Sequence, residues 1–436
     1  FFFFFIMEKK TIMNNPSSPS WGNKPLGKLI SLIQNGTTAQ QNMDRVGFPV
    51  SRIQTVQNNK VDPGKVRFIN DENIANQYRY KNGDILYSHI NSFELVGKVA
   101  VYDGIPEFLV HGMNLLLIRT NQNLCDSKYL FWFLQSPQAR TETAPWIKRA
   151  IGQASINQTN LQKINVPLPL PDQPEKSIMF QRQIVARIEA LLSEVREMQE
   201  INQTIQKDVG RLMDAVYEEA YPYQHGYIPV GWEIKTFSDV CQINPRRPQI
   251  RREANTATSF VPMAAVDENT GSIVDLQVKP YSEVRTGFTY FEENDVLFAK
   301  ITPSMQNGKA AIARGLIDGF GFGSTEFHVF KANHGILPEW IYHYIRRTHF
   351  RKEAMQRFRG AAGQQRVPQE FLERHIIPVP FPNDPEKSIT TQKRLVAYFE
   401  TMKKETFEMQ DIARQDSIHL EQLEKSILAQ AFRGEL

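Results

Sequence analysis

The 436-residue chain lacks most of the residue patterns that catalytic sites require. It has two cysteines and nine histidines, and neither set has the spacing of zinc ligands. It contains no G-x-x-x-x-G-K-[ST] loop for nucleotide phosphates, no H-E-x-x-H helix and no G-x-S-x-G nucleophile turn. These absences argue against a P-loop NTPase, a zinc protease and a serine hydrolase.

The scarcity of cysteine and of long apolar runs also restricts the compartment. Cys125 and Cys241 are too few for a disulfide framework and indicate free, buried thiols in a reducing cytoplasm. No stretch of about 18 apolar residues occurs, so no membrane-spanning helix is predicted. The net charge of +4 is only mildly basic and does not by itself indicate nucleic-acid binding.

The chain opens on an unusual run of phenylalanines, Phe1–Phe5. The run is shorter than the apolar core of a signal peptide, and no small-residue cleavage site follows it. We interpret it as an unstructured start or an artefact, with Met7 or Met13 as the expected native start.

What the chain does contain is an internal repeat. Glu175-Lys176-Ser177-Ile178 recurs as Glu386-Lys387-Ser388-Ile389, an offset of 386 − 175 = 211 residues. The same offset relates Trp21 and Trp232, Asp84 and Asp295, Gly97-Lys98 and Gly308-Lys309, Arg140 and Arg351, Gly152-Gln153 and Gly363-Gln364, and Glu189 and Glu400. So long a period indicates tandem duplication of a domain-sized unit. Internal pseudo-two-fold symmetry follows, and the binding partner is expected to present two sites.

Each repeat begins with a mixed α and β globule. Short strand patterns at 84–87 and 295–299 are bounded by turn residues. A helical stretch follows in each copy, Lys128–Arg140 and Pro338–Arg351. Proline-rich strands then lead out of each globule.

Each repeat ends in a long amphipathic helix. Apolar residues recur in steps of three and four from Ile184 to Val216, about 35 residues or roughly 50–55 Å of helix. The second copy repeats the stripe from Leu395 to Ile427, interrupted at Thr406 and Asp416. The stripes favour an antiparallel pair of helices with one globule at each end. Homodimerisation, or packing of each helix on the globules, is the alternative.

The predicted fold class is therefore α+β, with two α/β globules in tandem repeat joined by two long antiparallel coiled-coil helices. The predicted boundaries are an N-terminal flank at 1–20, a first globule at 21–171, a central helix region at 172–222, a second globule at 223–382 and a C-terminal helix region at 383–436.

A glycine run, Gly319-Phe320-Gly321-Phe322-Gly323, is the strongest candidate for a cofactor loop. A phosphate-binding loop needs a helix directly after it. The residues 324–330 alternate like a strand instead, so the run predicts a turn or a tightly packed strand.

Basic residues cluster in the second globule. Between Trp340 and Pro368 the cluster comprises Arg346, Arg347, Arg351, Lys352, Arg357, Arg359 and Arg366, against the single acid Glu353. Clustered arginine and lysine neutralise phosphates, and arginine also reads guanine in the major groove. A solvated helix face is the better interpretation of any one of these arginines, but DNA contact is favoured for the cluster.

The first globule offers different polar groups. Its loop Gln34–Asn42 is rich in amides, which suit adenine edges. Gly152-Gln153 and Gly363-Gln364 predict either a plain turn before a strand or a site of close backbone approach. The candidate DNA-binding residues of both globules are Thr37, Thr38, Gln40, Gln41, Lys98, Lys148, Arg149, Gln153, Arg246, Arg247, Arg251, Lys300, Thr302, Lys309, Arg357, Arg359, Gln364 and Arg366.

Over nearly its whole length the chain resembles the specificity subunit of type I restriction–modification systems. The residues that carry the resemblance are Pro167-Leu168-Pro169, the run 181–189 with its repeat 392–397, the run 295–303, Gly321–Phe327 and the tail 426–436. The short flank before Trp21 departs from the family pattern, because it lacks an obvious helix.

The resemblance implies that each globule is a target recognition domain reading one half of a split site in double-stranded DNA. It implies that the helices set the spacing and dock two methyltransferase subunits, and through them restriction subunits. S-adenosylmethionine, ATP and Mg are then expected on those partners, with no cofactor, metal or catalytic residue in this chain. The docking candidates are Ile184, Ile188, Leu191, Val195, Met198, Leu212, Leu395, Phe399, Met402, Met409, Leu423 and Ile427.

Two other hypotheses stay open at this point. A stand-alone DNA methyltransferase or nuclease would need a cofactor loop and an N-P-P-Y-like turn, and the chain has neither. A helical scaffold that joins two proteins without reading DNA would show no affinity for duplexes.

Overall fold

A computed structural model describes residues 19–221, 228–361 and 364–436 of the chain. The described chain forms two compact units. Unit 1 comprises residues 19–202 and 415–436, and unit 2 comprises the described residues of 203–414. The Phe1–Phe5 run, Met7, Met13 and Gly363 lie outside the described residues.

Unit 1 is built from short strands and helices. Its strands are β1 (Trp21–Pro25), β2 (Ile30–Asn35), β3 (Phe48–Val50), β4 (Val56–Gln57), β5 (Lys60–Val61), β6 (Arg67–Ile69), β7 (Ile85–Tyr87), β8 (Ile90–Asn91), β9 (Val99–Val101), β10 (Leu116–Thr120), β11 (Lys148–Ala150), β12 (Gln153–Ser155) and β13 (Asn165–Pro169). Its helices are α1 (Glu72–Gln77), α2 (Ser127–Gln135), α3 (Pro137–Thr143), α4 (Gln158–Leu161) and the first part of the central helix α5 (Pro174–Ala220).

Unit 2 follows the same plan. Its strands are β14 (Trp232–Thr236), β15 (Cys241–Ile243), β16 (Ala257–Val261), β17 (Gln277–Pro280), β18 (Thr289–Glu292), β19 (Val296–Ala299), β20 (Ala310–Ile312), β21 (Phe320–Gly323), β22 (Phe327–Ala332) and β23 (Ile376–Pro380). Its helices are α6 (Phe237–Val240), α7 (Tyr281–Val284), α8 (Pro338–Arg346), α9 (Thr348–Gln356), α10 (Gln369–Arg374) and part of the C-terminal helix α11 (Pro385–Arg433). Both α5 and α11 contribute a segment to each unit.

The 211-residue repeat extends to the hydrogen-bond register of the sheets. Unit 1 has an antiparallel sheet of order β2-β10-β7-β9, and unit 2 has the same sheet as β15-β22-β19-β20. Leu86 pairs with Ala100, and their equivalents Leu297 and Ala311 pair as well. The exit strands also agree, since β13 pairs with β1 and β23 with β14. The predicted α+β tandem fold is confirmed.

The units differ in a second layer. Unit 2 has a further sheet of order β17-β16-β21-β18, whereas unit 1 has the small pairs β3-β6 and β4-β5. The glycine run forms β21. A Cβ at Gly321 would lie 2.9 Å from the ring of Phe291, and one at Gly323 would lie 2.5 Å from the carbonyl oxygen of Val261. The run is therefore a tightly packed strand, as predicted.

The helical stretch of each globule is broken, contrary to the prediction of single helices. In unit 1 the break is at Ser136, whose ψ of 155° is extended because Pro137 follows it. In unit 2 the break is at Arg347, with ψ of 139° and no proline after it.

Equivalent buried aromatic residues tie each helix pair to its exit strand. Tyr129 Oη donates to the carbonyl oxygen of Pro167 at 2.7 Å. At the equivalent position, Trp340 Nε1 donates to the carbonyl oxygen of Pro378 at 3.0 Å. Two different side chains thus donate to the equivalent carbonyl oxygen of each unit. In both units that carbonyl belongs to the proline-rich exit strand.

The repeated Glu-Lys-Ser-Ile motif anchors the start of each long helix. Ser177 is buried and accepts from Gln181 Nε2 at 3.1 Å. The same amide donates to the carbonyl oxygen of Leu124 at 3.2 Å and accepts from the N–H of Asp126 at 2.9 Å. In unit 2, Gln392 makes the equivalent bonds to Ser388, Gly335 and Leu337 at 2.9, 2.9 and 2.8 Å.

We expect Gln181→Ala and Gln392→Ala each to lower the free energy of unfolding by about 1–3 kcal/mol, because each leaves buried backbone groups without a partner. Urea denaturation of the full chain measures the change. Gln183→Ala serves as the control, because Gln183 lies on the same helix as Gln181 and is exposed. Equal stability of all three variants would show that the anchor contributes nothing.

The long helices exceed the predicted length. They contain 47 and 49 residues, or about 70 Å each, because they begin ten residues before the apolar stripe. In unit 1, Gln199 and Asn202 of α5 bond to Glu424 and Ser417 of α11 at 3.3 and 2.9 Å. As the residue number rises along α5, the number of the bonded residue in α11 falls, so the two segments are antiparallel.

The segments in unit 2 are antiparallel as well. Gln206 bonds to the carbonyl oxygen of Ala413 at 3.2 Å, while Tyr217, further along α5, stacks edge-on with Phe399 at 5.1 Å. None of the helices in the described ranges has the length and apolarity that a bilayer crossing requires. Both cysteines are free and buried.

Most of the predicted docking residues face inward. Ile188, Val195, Phe399 and Ile427 are buried, and Met409 is exposed. The others are half-buried: Ile184, Leu191, Met198, Leu212, Leu395, Met402 and Leu423. The apolar residues that the helices leave exposed are Met179, Ile201 and Ile418 in unit 1, and Ile205, Tyr398, Phe407, Met409 and Ile412 in unit 2.

Candidate nucleic-acid interface

Unit 1 presents an exposed basic hairpin made by β11 and β12. Lys148 pairs with Ser155 and Arg149 with Ala154, and β12 pairs in turn with β8 of the globule. The turn residue Gly152 has φ of 71°, a conformation that favours glycine. Its neighbour Ile151 is fully exposed. Lys148, Arg149 and Gln153 therefore lie together on a solvent-exposed ribbon.

The base of this hairpin is stiffened by a stacked aromatic ring. The Arg149 guanidinium lies 3.6 Å from the ring centroid of Phe93, and that of Arg140 lies 4.7 Å from it. Arg140 also donates to the carbonyl oxygens of Phe93 and Val96 at 2.6 and 2.9 Å. Arg140 is thus a structural arginine, and Arg149 is held with its face stacked and its N–H edge free for an acceptor.

Unit 2 carries the equivalent of this hairpin. Arg359 forms an antiparallel bridge with Arg366, and Arg366 with Ile301, at the 211-residue offset of the pairs just described. The N–H of Thr302 donates to the carbonyl oxygen of Gln365 at 3.0 Å. The fold therefore brings together five predicted residues, which are Lys300, Thr302, Arg359, Gln364 and Arg366. Gln153 and Gln364 are both exposed beside the turn.

Some charged groups of this second hairpin are already paired within unit 2. Arg366 forms a bidentate ion pair with Glu326 at 2.8 and 2.9 Å, which lowers the pKa of that carboxyl group. Burial lowers the pKa of Lys300 and, to about 4, that of the neighbouring His328. Arg359 reaches Glu370 only at 3.8 Å. Arg366 consequently positions the hairpin, while Arg357 and Arg359 remain available.

The other predicted residues are dispersed over the two globules. Arg246 and Arg251 are exposed, whereas Arg247 donates to Tyr281 Oη at 2.8 Å and stacks on Phe322. Lys98 is exposed, and Lys309 is half-buried.

In the amide-rich loop of unit 1, Thr38 and Gln40 are exposed. Thr37 is buried, and its Oγ1 accepts from the N–H of Ala39 at 3.1 Å. Thr37 is therefore a structural residue of this loop.

The basic run of 346–366 does not form one surface. Arg346 donates to the carbonyl oxygens of Glu268, Asn269 and Gly308, and Arg347 is buried. Arg351 donates to the carbonyl oxygen of Gln306 at 2.8 Å. These three arginines thus lie within unit 2, whereas Lys352, Arg357 and Arg359 are exposed and Arg366 is half-buried.

Sequence analysis missed an open basic groove in unit 1. A cavity of about 510 Å³ is lined by Arg45, Arg52, Lys65 and Arg67, none of which forms an ion pair within the described ranges. A neighbouring cavity is lined by Arg52, Arg67 and the predicted Gln41. The four cations are spread over 23 residues of sequence, so no charge cluster marked them.

Comparison with known proteins identifies the family of the two globules. The family model described as "Type I restriction modification DNA specificity domain" matches residues 19–207 and again 229–419. A curated relative, the putative type I restriction enzyme MjaX specificity subunit of Methanocaldococcus jannaschii, is 29% identical over 95% of this chain and 93% of its own. The EcoEI specificity subunit of Escherichia coli is 35% identical over 42% of this chain and 29% of its own.

Solved structures share the fold. The HsdS subunit from Thermoanaerobacter tengcongensis aligns over 98% of this chain and 100% of its own with a TM-score of 0.60 and 18% identity. A chain from a study of complex assembly and conformational transition of the type I R-M system aligns over 97% of this chain and 100% of its own, with a TM-score of 0.66 and 18% identity. With two matching domains over most of its length, the chain belongs to the type I restriction-modification DNA specificity family and is a specificity subunit with two such domains in tandem.

Proposed function

We propose that the two globules read the two halves of a bipartite DNA site, each through its basic hairpin and neighbouring polar loops. The observation that carries this proposal is the duplicated hairpin. The same backbone pairing presents Lys148, Arg149 and Gln153 in unit 1, and Arg359 and Gln364 in unit 2. A shared scaffold with unlike side chains is what two different half-sites require. Phosphate contacts would position each hairpin, and base-edge contacts would specify the sequence.

The groove of unit 1 supports the same reading. Its four cations lie beside the amide of Gln41 and the exposed Met43. Cations suit phosphates, an amide suits an adenine edge, and an apolar side chain suits the thymine methyl group. The proposed contacts of unit 1 are therefore the hairpin, this groove and the loop 37–41.

The helices are proposed to dock two methyltransferase subunits, and through them restriction subunits. The exposed apolar residues of α5 and α11, including Ile201, Ile205 and Ile412, support this assignment, because isolated helices leave such residues uncovered only at a cost. The chain itself is proposed to be non-catalytic. S-adenosylmethionine, ATP and Mg are expected on the partner subunits.

Co-expression with a methyltransferase subunit of the same system tests the function. We expect a stable complex that methylates adenine within a bipartite motif, detected by mapping modified bases across the host genome. Methylation by the purified chain alone would favour the stand-alone enzyme. A complex with no affinity for any duplex would favour the scaffold, and a contiguous palindromic motif would contradict the two-globule reading.

A further inference from the structure

The corner between the paired helices differs sharply between the two units. In unit 1, Ser136 caps α3 by accepting from the N–H of Ala139 at 3.2 Å, and Pro137 occupies the first turn. This is the usual way to satisfy and close a helix start. In unit 2 the equivalent of Ser136 is Arg347, and no side chain caps α9. The start of the second helix is therefore capped by a side chain in unit 1 and uncapped in unit 2.

Arg347 is an unpaired cation inside unit 2. The residue is only 5% exposed, and its guanidinium stacks on Tyr344 at 4.0 Å and on Tyr221 at 5.0 Å. Its Nε is buried without a hydrogen-bond partner among the described residues, and it forms no ion pair there. A buried charge without a counter-ion is costly.

A cavity of about 110 Å³ opens at this helix start. It is lined by Arg347, Thr348, His349 and Lys352, with Asp214 and Glu218 on the opposite helix α5. Neither carboxylate forms an ion pair in the described part of the chain. The cavity thus combines a helix N-terminus, a buried guanidinium and an ammonium group, which favour an anion, with the two carboxylates of Asp214 and Glu218, which oppose one.

A second cavity of about 220 Å³ shares Asp214, Tyr217 and Thr348 with the first. It adds Arg346, Arg351 and Lys403. Lys403 Nζ donates to the carbonyl oxygen of Thr270 at 2.7 Å, which is a neutral acceptor.

The charges of this second cavity are only weakly balanced. Arg351 Nε is buried and has no hydrogen-bond partner among the described residues. Burial lowers the pKa of both Arg351 and Lys403, although Asp214 opposes the effect on Arg351 and Glu400 opposes it on Lys403. Asp214 lines both cavities, and it is the carboxylate that favours the charged form of Arg351.

Two polar positions of this second cavity are apolar in unit 1. Lys403 and Thr406 correspond at the 211-residue offset to Leu192 and Val195, which are buried in the core of unit 1. The ammonium group of Lys403 is therefore specific to unit 2, whereas Arg351 has the equivalent Arg140 in unit 1.

We propose that the two adjoining cavities of unit 2 bind a small oxyanion, a phosphate or carboxylate group held by Arg347, the start of α9, Arg351 and Lys403. The donors present suit oxygen acceptors, and the volume excludes a nucleic-acid duplex. Because α5, α11 and the α8–α9 corner all line the cavities, the bound anion would fasten the globule of unit 2 to its helix segments. The inference does not depend on the proposed reading of DNA.

The test measures thermal unfolding of the full chain against inorganic phosphate, with sodium chloride at equal ionic strength as the reference. The wild type is expected to gain stability with saturation, as a bound ligand requires. Two variants, Arg347→Ser and Lys403→Leu, replace residues of unit 2 by their equivalents in unit 1. Each is expected to weaken phosphate binding by about tenfold or more, since each removes a charge-assisted hydrogen bond.

A matched control is Lys404→Leu, because Lys404 is an exposed neighbour on the same helix. It should leave the phosphate response unchanged. Lys403→Leu should also raise stability without phosphate, whereas a purely structural Lys403 would give lower stability and an unaltered response. Repeating the titration with succinate decides between phosphate and carboxylate ligands. An equal response of the wild type and both cavity variants to both anions would overturn the proposal.

Discussion

Replacing Lys148 and Arg149 together by glutamine is expected to weaken binding of the chain to its DNA site by about 10- to 100-fold at physiological salt. Both side chains lie on the exposed β11–β12 hairpin, and neither forms an ion pair within the described ranges. No internal contact therefore competes with a phosphate or a base edge for their N–H groups. Glutamine keeps much of the side-chain length, and it removes the charges together with the stacking of the Arg149 guanidinium on Phe93.

The salt dependence of binding separates this result from misfolding. Each lost phosphate contact should reduce the slope of log K against log [salt] by about 1. The double variant should thus bind with a shallower slope, measured by fluorescence anisotropy on a duplex carrying the methylated motif. Lys128→Gln is the control, because Lys128 is exposed and paired with Glu189 at 2.9 Å. An unchanged affinity and slope in the double variant would exclude the hairpin from the interface.

The equivalent hairpin of unit 2 offers a pair of exposed arginines to test and a paired arginine for comparison. Arg357→Gln with Arg359→Gln should reduce affinity similarly, because both side chains are exposed and at most weakly paired. Arg366→Gln should instead disturb the hairpin, since it breaks the bidentate contact with Glu326. Half-site duplexes would then show which unit reads which half. Loss of binding to the same half in both double variants would contradict independent reading by two globules.

Trp340→Ala is expected to lower the free energy of unfolding by about 3–5 kcal/mol, the range for removing a large aromatic side chain from a core. Trp340 is fully buried and packs against Tyr221 at 4.4 Å. The substitution also leaves the carbonyl oxygen of Pro378 without its donor. Urea denaturation followed by circular dichroism measures the change.

Two further variants define the origin of that effect. Trp340→Phe retains most of the ring but not the Nε1 donor, so it should cost less than Trp340→Ala. Val274→Ala, at a position that is 64% exposed, should change stability by less than about 0.5 kcal/mol. If Trp340→Ala lowered the free energy of unfolding by less than about 1 kcal/mol, the neighbouring side chains would have closed the space and left no cavity.

The repeat predicted the part of the architecture that the two units share, but not the second sheet of unit 2. One offset, applied to Trp21, Asp84, Gly152 and Pro167, predicted a second globule whose strands start within a residue or two of the observed positions. Framework residues repeat because the same backbone geometry must be satisfied twice. Ser177 and Ser388 show this clearly, since each fills the same buried position beside a glutamine.

The candidate site was predicted only in part. Lys148 and Arg149 were predicted because they form a basic pair, and Gln153 because it follows a repeated glycine. The groove around Arg52 and Arg67 was not found, because its cations come from separate strands and loops that only folding brings together. Arg347 was counted among surface arginines, although its neighbours bury it under two aromatic rings.

The sequence by itself determined the duplication, the family and the amphipathic helices, since these depend on residue order and periodicity. The tertiary structure decided which charges face water. Charge is a property of a residue, but its availability depends on the groups that surround it. Arg346 bonded to carbonyl oxygens, Arg347 stacked in the interior and Arg359 exposed on a hairpin are the same amino acid in one short stretch of chain, with three different roles.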